Sequence, residues 1–460
     1  MGAELLAELA AIVGHRQVVP GDRVGPTPWE THQPFHGVAL VRPADTAEVS
    51  RVLATCSRAG QPVVPMGGLT NLVQGCATTA ADLGLSLERL NRVEEVDPVA
   101  QTMTVQAGVT LRAAQLAADA EGLFFPVDIG ARENCMLGGN VSTNAGGTKV
   151  IRYGMIRDSV LGLEAVLADG TVISSMNRFI KNNSGFDLKH LFIGTEGTLG
   201  VITRLVFRLS VKPRSHNVAL LACRRFEDVV QLLGMARNLL GSSLCGFEVM
   251  WDSFYRRATQ PLGPQRSPLQ ETHPLYAIVE SMGNDAARDD AAFADALEEM
   301  IESGLVTDGV VAKSDRERDG IWAIRHEVEW IVSGAFNFDV SLRTADVGAY
   351  VADIEARISE DVPGAYVAAF GHLGDNNIHV SVLGNDVRTA HSEIVQKHVY
   401  EALLPYAGAI SAEHGIGLEK RPWLPISRSA AEIELMRTLK STLDPGNILN
   451  PGKVIDVAGD

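Results

Sequence analysis

The chain has 460 residues, 46% of them hydrophobic, so it can bury a large core and is long enough for more than one domain. It carries 40 lysines and arginines against 56 aspartates and glutamates, a formal net charge of −16, with no basic block. This balance disfavours nucleic acid as a partner. The five cysteines form no CxxC pair, so zinc-ribbon and cysteine-ligated iron–sulfur sites lack support, and a reduced, cytoplasmic compartment fits best.

The first part of the chain is predicted to contain short elements. The N-terminal segment MGAELLAELAAIVGHR indicates an amphipathic helix and not a signal peptide. No apolar run is long enough for a membrane span, which leaves peripheral contact at the inner face of a membrane open. Residues 35–210 are rich in glycine, and we predict strands at Gln61–Pro65, Thr102–Ala107 and Val201–Leu209 and a helix over Thr110–Glu121.

From about residue 215 to 410, longer helices alternate with strands, which is an α+β pattern. The predicted helices are Arg225–Leu240, Asp285–Ser303, Asp319–Val332 and Ala345–Ser359. The predicted strands are Tyr276–Glu280, Phe338–Leu342, Gly364–Phe370 and Ile378–Leu383. The chain then closes with a helix over Ser429–Leu443 and the turn LDPGNILNPGK.

Glycine-rich segments of the first half carry the cofactor signal. PMGGLTNL (Pro65–Leu72) follows the strand-like QPVVP, and such a turn exposes backbone N–H groups that can cradle a phosphate. It lacks the GxGxxG spacing and the P-loop lysine, so NAD is disfavoured. Three more segments are equally rich in small residues: LGGNVSTNAGG, YGMIRDSVLGLEAVLADG and NNSGFDLKHLFIGTEGTLGVIT. The residues alone leave two interpretations open, a bound dinucleotide or a twisted sheet with many tight turns.

Two later segments predict a metal site. FGHLGDNNIHVSV places His372 and His379 on either side of a GDNN turn, and SAEHG offers Glu413 beside His414. His372, His379 and Glu413 would make a three-ligand site with open positions, which favours Zn²⁺ and leaves Mn²⁺ or Fe²⁺ as alternatives. His414 would then move protons. For a single histidine, hydrogen bonding within a turn is the competing interpretation, and we read Asp375 as a turn-stabilising residue.

The helix GIWAIRHEVEWIV is predicted to carry side chains that bind the substrate. Trp322, Arg325 and Glu329 share one face of this helix. Arg325 can bind a carboxylate through two parallel hydrogen bonds. The alternative is a weak surface pair between Arg325 and Glu329. Arg343 and Asn377 are lesser substrate-binding candidates.

Six segments together resemble the FAD-linked 2-hydroxyacid dehydrogenases. They are GGLTNL, GGNVSTNAGG, LKHLFIGTEGTLGVIT, GHLGDNNIH, SAEHGIG and LDPGNILNPGKV, in this order, over about residues 35–455. The resemblance implies an α+β fold: a two-subdomain FAD-binding domain of the PCMH and vanillyl-alcohol-oxidase type, with an inserted α+β cap domain for substrate and metal. The expected bounds are 1–215 for the FAD-binding domain, 216–417 for the cap, and 418–460 for a C-terminal segment that completes the FAD-binding domain.

The resemblance also implies where FAD binds. Some flavoproteins of the wider class attach FAD through His or Cys, whereas the loop here offers Leu69, so noncovalent FAD is expected. The implied cofactor-binding residues are Pro65, Met66, Gly67, Gly68, Leu69, Thr70, Asn71, Gly138, Gly139, Ser142, Asn144, Gly146, Glu196, Gly200, Ile202 and Asn450.

The implied reaction is oxidation of a D-2-hydroxy acid to the 2-oxo acid, with the hydride passing to flavin N5 and His414 as the base. Relatives that act on 2-hydroxyglutarate carry Thr and Lys near the positions of Glu329 and Asn337, and Asn at Ser381. The acid at Glu329 disfavours a second substrate carboxylate, so we expect a lactate-like or bulkier monocarboxylate.

Several alternatives stay open at this point. They are a D-2-hydroxyglutarate or D-malate dehydrogenase, an O₂-using 2-hydroxyacid oxidase, and the flavin subunit of a glycolate-oxidase-like complex. A quinone, a cytochrome or an electron-transfer flavoprotein could each accept the electrons, and a homodimer is compatible with the sequence.

Overall fold

The computed structural model describes residues 2–25 and 35–457, with the side chains of residues 332 and 333 excepted. The chain forms two compact units. The first comprises Met1–Gly146, Met155–Lys212 and Glu413–Asp460, and the second comprises Gly147–Gly154 and Pro213–Ala412. Across the described ranges, no helix is both long and apolar enough to cross a membrane.

Short elements dominate the chain up to residue 212. The helices are α1 (Ala3–Val13), α2 (Thr46–Ala59), α3 (Leu111–Ala120), α4 (Leu137–Ser142), α5 (Val150–Tyr153) and α6 (Ile156–Ser159). The strands are β1 (Val18–Pro20), β2 (Ala39–Val41), β3 (Val63–Met66), β4 (Leu83–Ser86), β5 (Val93–Asp97), β6 (Thr102–Gln106), β7 (Leu123–Phe124), β8 (Val160–Val166), β9 (Val172–Ser175), β10 (Val201–Arg208) and β11 (Ser210–Val211).

Longer elements follow from residue 213 onward. The helices are α7 (Phe226–Leu240), α8 (Asp252–Ala258), α9 (Ala286–Glu302), α10 (Asp315–Arg325), α11 (Glu329–Gly334), α12 (Val347–Asp361), α13 (Ser392–Glu401), α14 (Leu424–Ser427) and α15 (Ala430–Leu443). The strands are β12 (Ser215–Cys223), β13 (Leu244–Trp251), β14 (Leu275–Gly283), β15 (Asp308–Val311), β16 (Phe336–Ser341), β17 (Tyr366–His372) and β18 (Asn377–Leu383).

Helix ends in the first unit follow the side-chain chemistry of the sequence. Asp45 caps α2 by accepting a hydrogen bond from Glu48 N, and Gly60 ends that helix in a left-handed conformation. Ser429 opens α15 with a capping box that includes Glu432. The helix predicted over Ser429–Leu443 is confirmed as α15, whereas the sequence analysis made no prediction for α2.

Two sheets organise the first unit. One has the strand order β1-β2-β4-β3, and the other has the order β5-β6-β10-β8-β9. The apolar faces of both sheets and of α1, α2 and α3 contribute to a single buried cluster. A bridge between Val63 and Leu449 ties the C-terminal turn to β3, so this turn lies beside the start of the glycine-rich loop.

A seven-stranded antiparallel sheet forms the centre of the second unit. Its strand order is β15-β12-β14-β13-β17-β18-β16. Strands β17 and β18 form the predicted hairpin, with His372 paired to Asn377 and Phe370 paired to His379. Because side chains alternate between the faces of a strand, His372, Phe370 and His379 share one face of this sheet.

One predicted helix is wrong. The sequence predicts a single helix over Asp319–Val332, whereas α10 ends at Arg325 and α11 begins at Glu329. Between them, Val328 N donates to His326 O at 2.9 Å, a tight turn that interrupts the helical hydrogen-bond ladder. Neither Gly nor Pro marks this break, so the helical period continues across it in the sequence. Trp322 and Arg325 therefore share a helix, and Glu329 belongs to the next one.

Candidate active site

Each of the two predicted histidine ligands lies beside a buried carboxylate. Val249 of β13 pairs with Gly371 of β17, which brings the preceding residue, Glu248, beside His372. The His372 Nδ1 lies 2.7 Å from Glu248 Oε1. On the other side of the hairpin, Asp339 of β16 pairs with His379 of β18, and its Oδ1 lies 3.8 Å from His379 Nδ1. Glu248 is within hydrogen-bond distance of His372, and a carboxylate in this position orients a metal-binding histidine and fixes its tautomer, whereas the contact between Asp339 and His379 is longer than a hydrogen bond.

Asp339 is held by several donors. Its Oδ1 accepts a hydrogen bond from Asn377 Nδ2 at 2.7 Å, and its Oδ2 accepts one from Ala412 N at 3.0 Å. Ser411 Oγ also donates to Oδ2, at 3.3 Å. The side chain is fully buried, so these bonds fix the carboxylate beside the first residues of β18.

The chain continues from Ala412 directly into Glu413 and His414. Asp339, His379, Glu413 and His414 each offer a ligand atom, and these four atoms lie within 4.8 Å of one another. His372 lies next to this group, with its ring centroid 5.2 Å from that of His379. Imidazole nitrogens and carboxylate oxygens are a donor set that suits Zn²⁺, Mn²⁺ and Fe²⁺. The residues present therefore fit a divalent metal, and of the predicted ligands His379 and Glu413 belong to the group.

Arg325 is buried over the same sheet face. Its side chain is 5% exposed, its Nε donates to Glu248 Oε2 at 2.8 Å, and its guanidinium lies 4.6 Å from the Phe370 ring centroid. Phe370 in turn contacts the His379 ring, with 5.0 Å between centroids. The Nη2 atom of Arg325 is buried and has no hydrogen-bond partner among the described residues. Arg325 is thus a buried cation and not a surface partner of Glu329.

Glu248 stays ionised between its two partners. Burial raises its pKa, but the neighbouring His372 and Arg325 lower the pKa by a larger amount. The pKa of Glu248 therefore lies below the ordinary value of a glutamate. An ionised carboxylate only accepts hydrogen bonds, so Nδ1 of His372 carries the proton it shares with Glu248. A metal bound by His372 would therefore be held through Nε2.

Trp322 belongs to a second buried polar cluster in the second unit. Its Nε1 donates to Glu280 Oε1 at 3.1 Å, and Lys149 Nζ lies 4.6 Å from the Trp322 ring centroid. Glu280 also pairs with Lys149 and His216. This cluster fixes the ring of Trp322 one helical turn before Arg325.

The two lesser substrate candidates have other contacts. Asn377 uses its Nδ2 on Asp339 and on Val340 O, so it supports the group around His379. Arg343 has a side chain that is 79% exposed and pairs with Asp346 at 2.7 Å. The structure does not bring Arg343 into the group formed by Asp339, His379, Glu413 and His414.

The predicted cofactor segments come together in the first unit. A side chain added at Gly67 would contact Met136 and Gly139, so the loop after β3 lies against the start of α4. At Gly68, an added Cβ would lie 1.9 Å from Asn134 O, and only glycine allows this approach. Asn450 Nδ2 donates to Glu196 O at 2.8 Å and to Gly75 O at 3.1 Å, and Glu196 N donates to Ser142 O at 2.8 Å.

Backbone conformation supports a ligand at these segments. Four predicted cofactor residues other than glycine have positive φ: Leu69 at 56°, Asn144 at 51°, Glu196 at 53° and Asn450 at 43°. Non-glycine residues rarely adopt such conformations, and those that do concentrate at ligand sites. Gly139 has nothing within 4 Å of where its Cβ would lie, so its backbone faces open space. These observations fit the binding of an extended dinucleotide such as FAD.

Glu196 and Asn71 also order the segment that carries His414. The Glu196 carboxylate accepts hydrogen bonds from Ile416 N at 2.6 Å and from Gly417 N at 3.0 Å. Asn71 accepts bonds from Val73 N and Gly75 N and donates to His414 O at 3.4 Å. The predicted FAD-binding residues thus include two whose side chains bind backbone within the first unit.

Sequence reasoning missed four buried charged residues that contact predicted site residues. They are Glu248, Asp339, Glu280 and Lys149. An acid within an apolar strand was the available signal, as in CGFEVMW around Glu248 and FNFDVS around Asp339. A buried charge requires partners, so each of these acids predicts a cation or a histidine nearby.

Comparison with known proteins identifies the family of this chain. A family model described as "FAD linked oxidases, C-terminal domain" matches residues 212–454, and one described as "FAD binding domain" matches residues 38–175. The chain is 38% identical to a D-2-hydroxyglutarate dehydrogenase of Xanthomonas citri pv. viticola, with 97% of each chain covered. It is 36% identical to the mitochondrial D-2-hydroxyglutarate dehydrogenase of Bos taurus, with 98% of this chain and 83% of that protein covered.

A further relative and a solved structure complete the comparison. A putative mitochondrial D-lactate dehydrogenase of Schizosaccharomyces pombe is 34% identical, with 90% of this chain and 81% of that protein covered. The structure of p-cresol methylhydroxylase with substrate bound superposes with a TM-score of 0.78 over 99% of this chain and 97% of that chain, at 16% identity. This likeness confirms the expected α+β fold of the vanillyl-alcohol-oxidase type. Family models and relatives together establish that the chain belongs to the FAD-linked 2-hydroxyacid dehydrogenases.

Proposed function

We propose that this protein is an FAD- and divalent-metal-dependent dehydrogenase that oxidises a D-2-hydroxy monocarboxylate to its 2-oxo acid. The observation that carries the proposal is the arrangement on one sheet face of a buried arginine, Arg325, with an unpartnered Nη2, next to histidines that are backed by carboxylates. A carboxylate grip beside a metal-binding group suits a substrate with a carboxylate and a hydroxyl on neighbouring carbons.

Each side chain has a role in this proposal. Arg325 binds the substrate carboxylate through its Nη edge, since Nε is bound to Glu248. His379 and Glu413, with His372, hold the cation, and His414 takes the proton of the substrate hydroxyl. Bound FAD supplies the hydride acceptor, and a bound divalent cation lowers the pKa of the hydroxyl. The residues of the glycine-rich segments hold FAD without a covalent bond.

The second candidate substrate is D-2-hydroxyglutarate. Relatives at 36–38% identity carry that name, which favours it. The resemblance opposes it, because Glu329 stands near the position where relatives that act on 2-hydroxyglutarate carry Thr, and an acid there would repel a second substrate carboxylate. The ratio of kcat/KM for D-lactate and bulkier D-2-hydroxy acids to that for D-2-hydroxyglutarate decides between them. A ratio above one supports the monocarboxylate, and a ratio well below one transfers the proposal to the dicarboxylate.

An anaerobic titration tests the reaction itself. The purified protein is mixed with D- and L-2-hydroxy acids, with and without a chelator, and the flavin absorbance is followed. Bleaching by a D-2-hydroxy acid that the chelator abolishes supports the proposal. A flavin that no hydroxy acid bleaches would exclude it, and subsequent mixing with air distinguishes a dehydrogenase from an oxidase. The reduced protein is then mixed with a quinone, a cytochrome or an electron-transfer flavoprotein. The compound that reoxidises the flavin identifies the class of electron acceptor.

A further inference from the structure

Glu248 is a single buried carboxylate that serves two functional side chains. It is 1% exposed and sits on β13, the strand next to the histidine hairpin. One oxygen, Oε1, accepts the Nδ1 proton of His372 at 2.7 Å. The other, Oε2, accepts the Nε proton of Arg325 at 2.8 Å. The two residues it contacts are those that the proposed function assigns to the cation and to the substrate carboxylate.

The burial of all three groups makes this contact strong. Arg325 is 4% exposed and His372 is 6% exposed, so water competes little for their hydrogen bonds. Removing one partner of a buried charged pair leaves the other unpaired, which is costly. The orientation of the His372 ring and of the Arg325 guanidinium therefore depends on the same side chain.

We propose that Glu248 is a positioning residue that couples cation binding to carboxylate binding. It directs Nε2 of His372 toward the cation and the Nη edge of Arg325 toward the substrate carboxylate. A cation on His372 makes its Nδ1–H a stronger donor, which draws Glu248 charge toward His372 and leaves Arg325 more electropositive. Because binding free energies are reciprocal, a carboxylate on Arg325 strengthens cation binding by the same factor.

This inference rests on the proposed function, and its test uses binding as well as turnover. The full-length FAD-loaded protein is freed of metal, and its Zn²⁺ dissociation constant is measured with and without saturating pyruvate, a 2-oxo monocarboxylate. For the unaltered protein we expect pyruvate to tighten Zn²⁺ binding. For Glu248→Gln we expect Zn²⁺ binding on the order of 10- to 100-fold weaker. In this variant the Zn²⁺ dissociation constants with and without pyruvate should be about equal. Glu248→Asp, which keeps the charge, is expected to restore part of the coupling.

Asp228→Asn is the matched control. Asp228 is also a buried acid of the second unit, where it pairs with Arg225 at the start of α7. If Asp228→Asn weakens Zn²⁺ binding as much as Glu248→Gln, the effect is a general loss of stability and the inference is wrong. It is also wrong if Glu248→Gln keeps both the Zn²⁺ dissociation constant and the pyruvate effect within twofold. Thermal unfolding of each variant identifies those that fail to fold, and Glu248→Asp then carries the test.

The two proposals can fail separately. If D-2-hydroxy acids bleach the flavin but pyruvate does not change Zn²⁺ binding to the unaltered protein, the proposed reaction is supported and the proposed role of Glu248 is wrong. If Zn²⁺ and pyruvate bind with coupling that Glu248→Gln abolishes, but no hydroxy acid bleaches the flavin, the coupling stands and the proposed reaction falls.

Discussion

Asp339 lies directly opposite His379 across the paired strands β16 and β18, with 3.8 Å between Oδ1 and Nδ1. The same sheet places Glu248 beside His372 on the far side of the hairpin. Two histidines that follow one another in a hairpin are thus backed by carboxylates from two different flanking strands. Both acids can be buried although they are charged because each has hydrogen-bond donors. Glu248 accepts from His372 and Arg325, and Asp339 accepts from Asn377, Ser411 and the backbone N of Ala412.

Replacing Asp339 is expected to weaken the metal site. Asp339→Asn preserves the shape of the side chain but removes the charge beside His379, so we expect Zn²⁺ affinity to fall about 10- to 100-fold. The metal content after dialysis against graded chelator measures this. Asp361→Asn is the control, because Asp361 forms another Asp–His pair, with His398 at 2.7 Å on the surface of the second unit. Equal metal retention in both variants would contradict the role of Asp339.

Arg325 is expected to act through its guanidinium geometry and not only through its charge. Lysine at this position keeps the charge but lacks the planar guanidinium, which can bind Glu248 through Nε while its Nη edge binds a substrate carboxylate through two parallel hydrogen bonds. Arg325→Lys should therefore lower kcat/KM on the order of 10- to 100-fold, mainly through KM. Arg357→Lys, which alters the surface pair with Asp353, should leave both constants unchanged. An unaltered KM in Arg325→Lys would rule out the substrate grip.

His414 is expected to affect the chemical step and not binding. His414→Asn removes the proposed base, so the rate of flavin reduction should fall by about 10²- to 10⁴-fold. Anaerobic stopped-flow absorbance gives this rate, and a pyruvate titration gives the affinity for the product acid, which should change by only a few-fold. Flavin reduction at the normal rate would assign the proton to another group.

The glycine-rich loop makes a prediction about cofactor retention. In Gly68→Ala the new Cβ would lie 1.9 Å from Asn134 O, so the loop after β3 must move and FAD should be lost. The ratio of flavin to protein absorbance after desalting measures the loss. Gly234→Ala is the matched control, because Gly234 lies inside α7 with nothing within 4 Å of its Cβ position. That variant should keep FAD and gain about 0.5–1 kcal/mol of stability.

The sequence predicts the parts of the site that depend on local spacing. His372 and His379 flank a four-residue turn, so a hairpin necessarily brings them together, and Glu413 adjoins His414 in the chain. The cap at Ser429 defines the start of the predicted C-terminal helix for the same local reason.

The parts that the sequence does not predict depend on the order of strands in the sheet. Glu248 precedes His372 by 124 positions, and only the pairing of β13 with β17 joins them. Lys149 reaches Glu280 because the segment Gly147–Gly154 belongs to the second unit although the chain on both sides of it belongs to the first. No periodicity in the sequence reports either relationship.

Glu280 makes the stability of the second unit depend on pH. Burial raises the pKa of this carboxyl, but Lys149 and His216 lower the pKa by a larger amount. The net result is a pKa lowered from the ordinary 4.5 to about 2. The unfolded chain therefore binds a proton at higher pH than the folded one. The resulting stabilisation is fully present above pH 4.5 and is lost as the pH falls toward about 2, with a total on the order of 3 kcal/mol.

Urea unfolding at a series of pH values, for the unaltered protein and for Glu280→Gln, checks this expectation. The variant should be less stable at neutral pH, because Lys149, which is 6% exposed, loses its carboxylate partner. Its stability should then fall less steeply below pH 4.5 than that of the unaltered protein. Glu299→Gln, on the exposed side of α9 in the second unit, should keep nearly the original slope. The two proteins differ in the proton that Glu280 takes up on unfolding, so their slopes should differ. If the stability of Glu280→Gln falls as steeply with pH as that of the unaltered protein, other carboxyls govern the acid sensitivity.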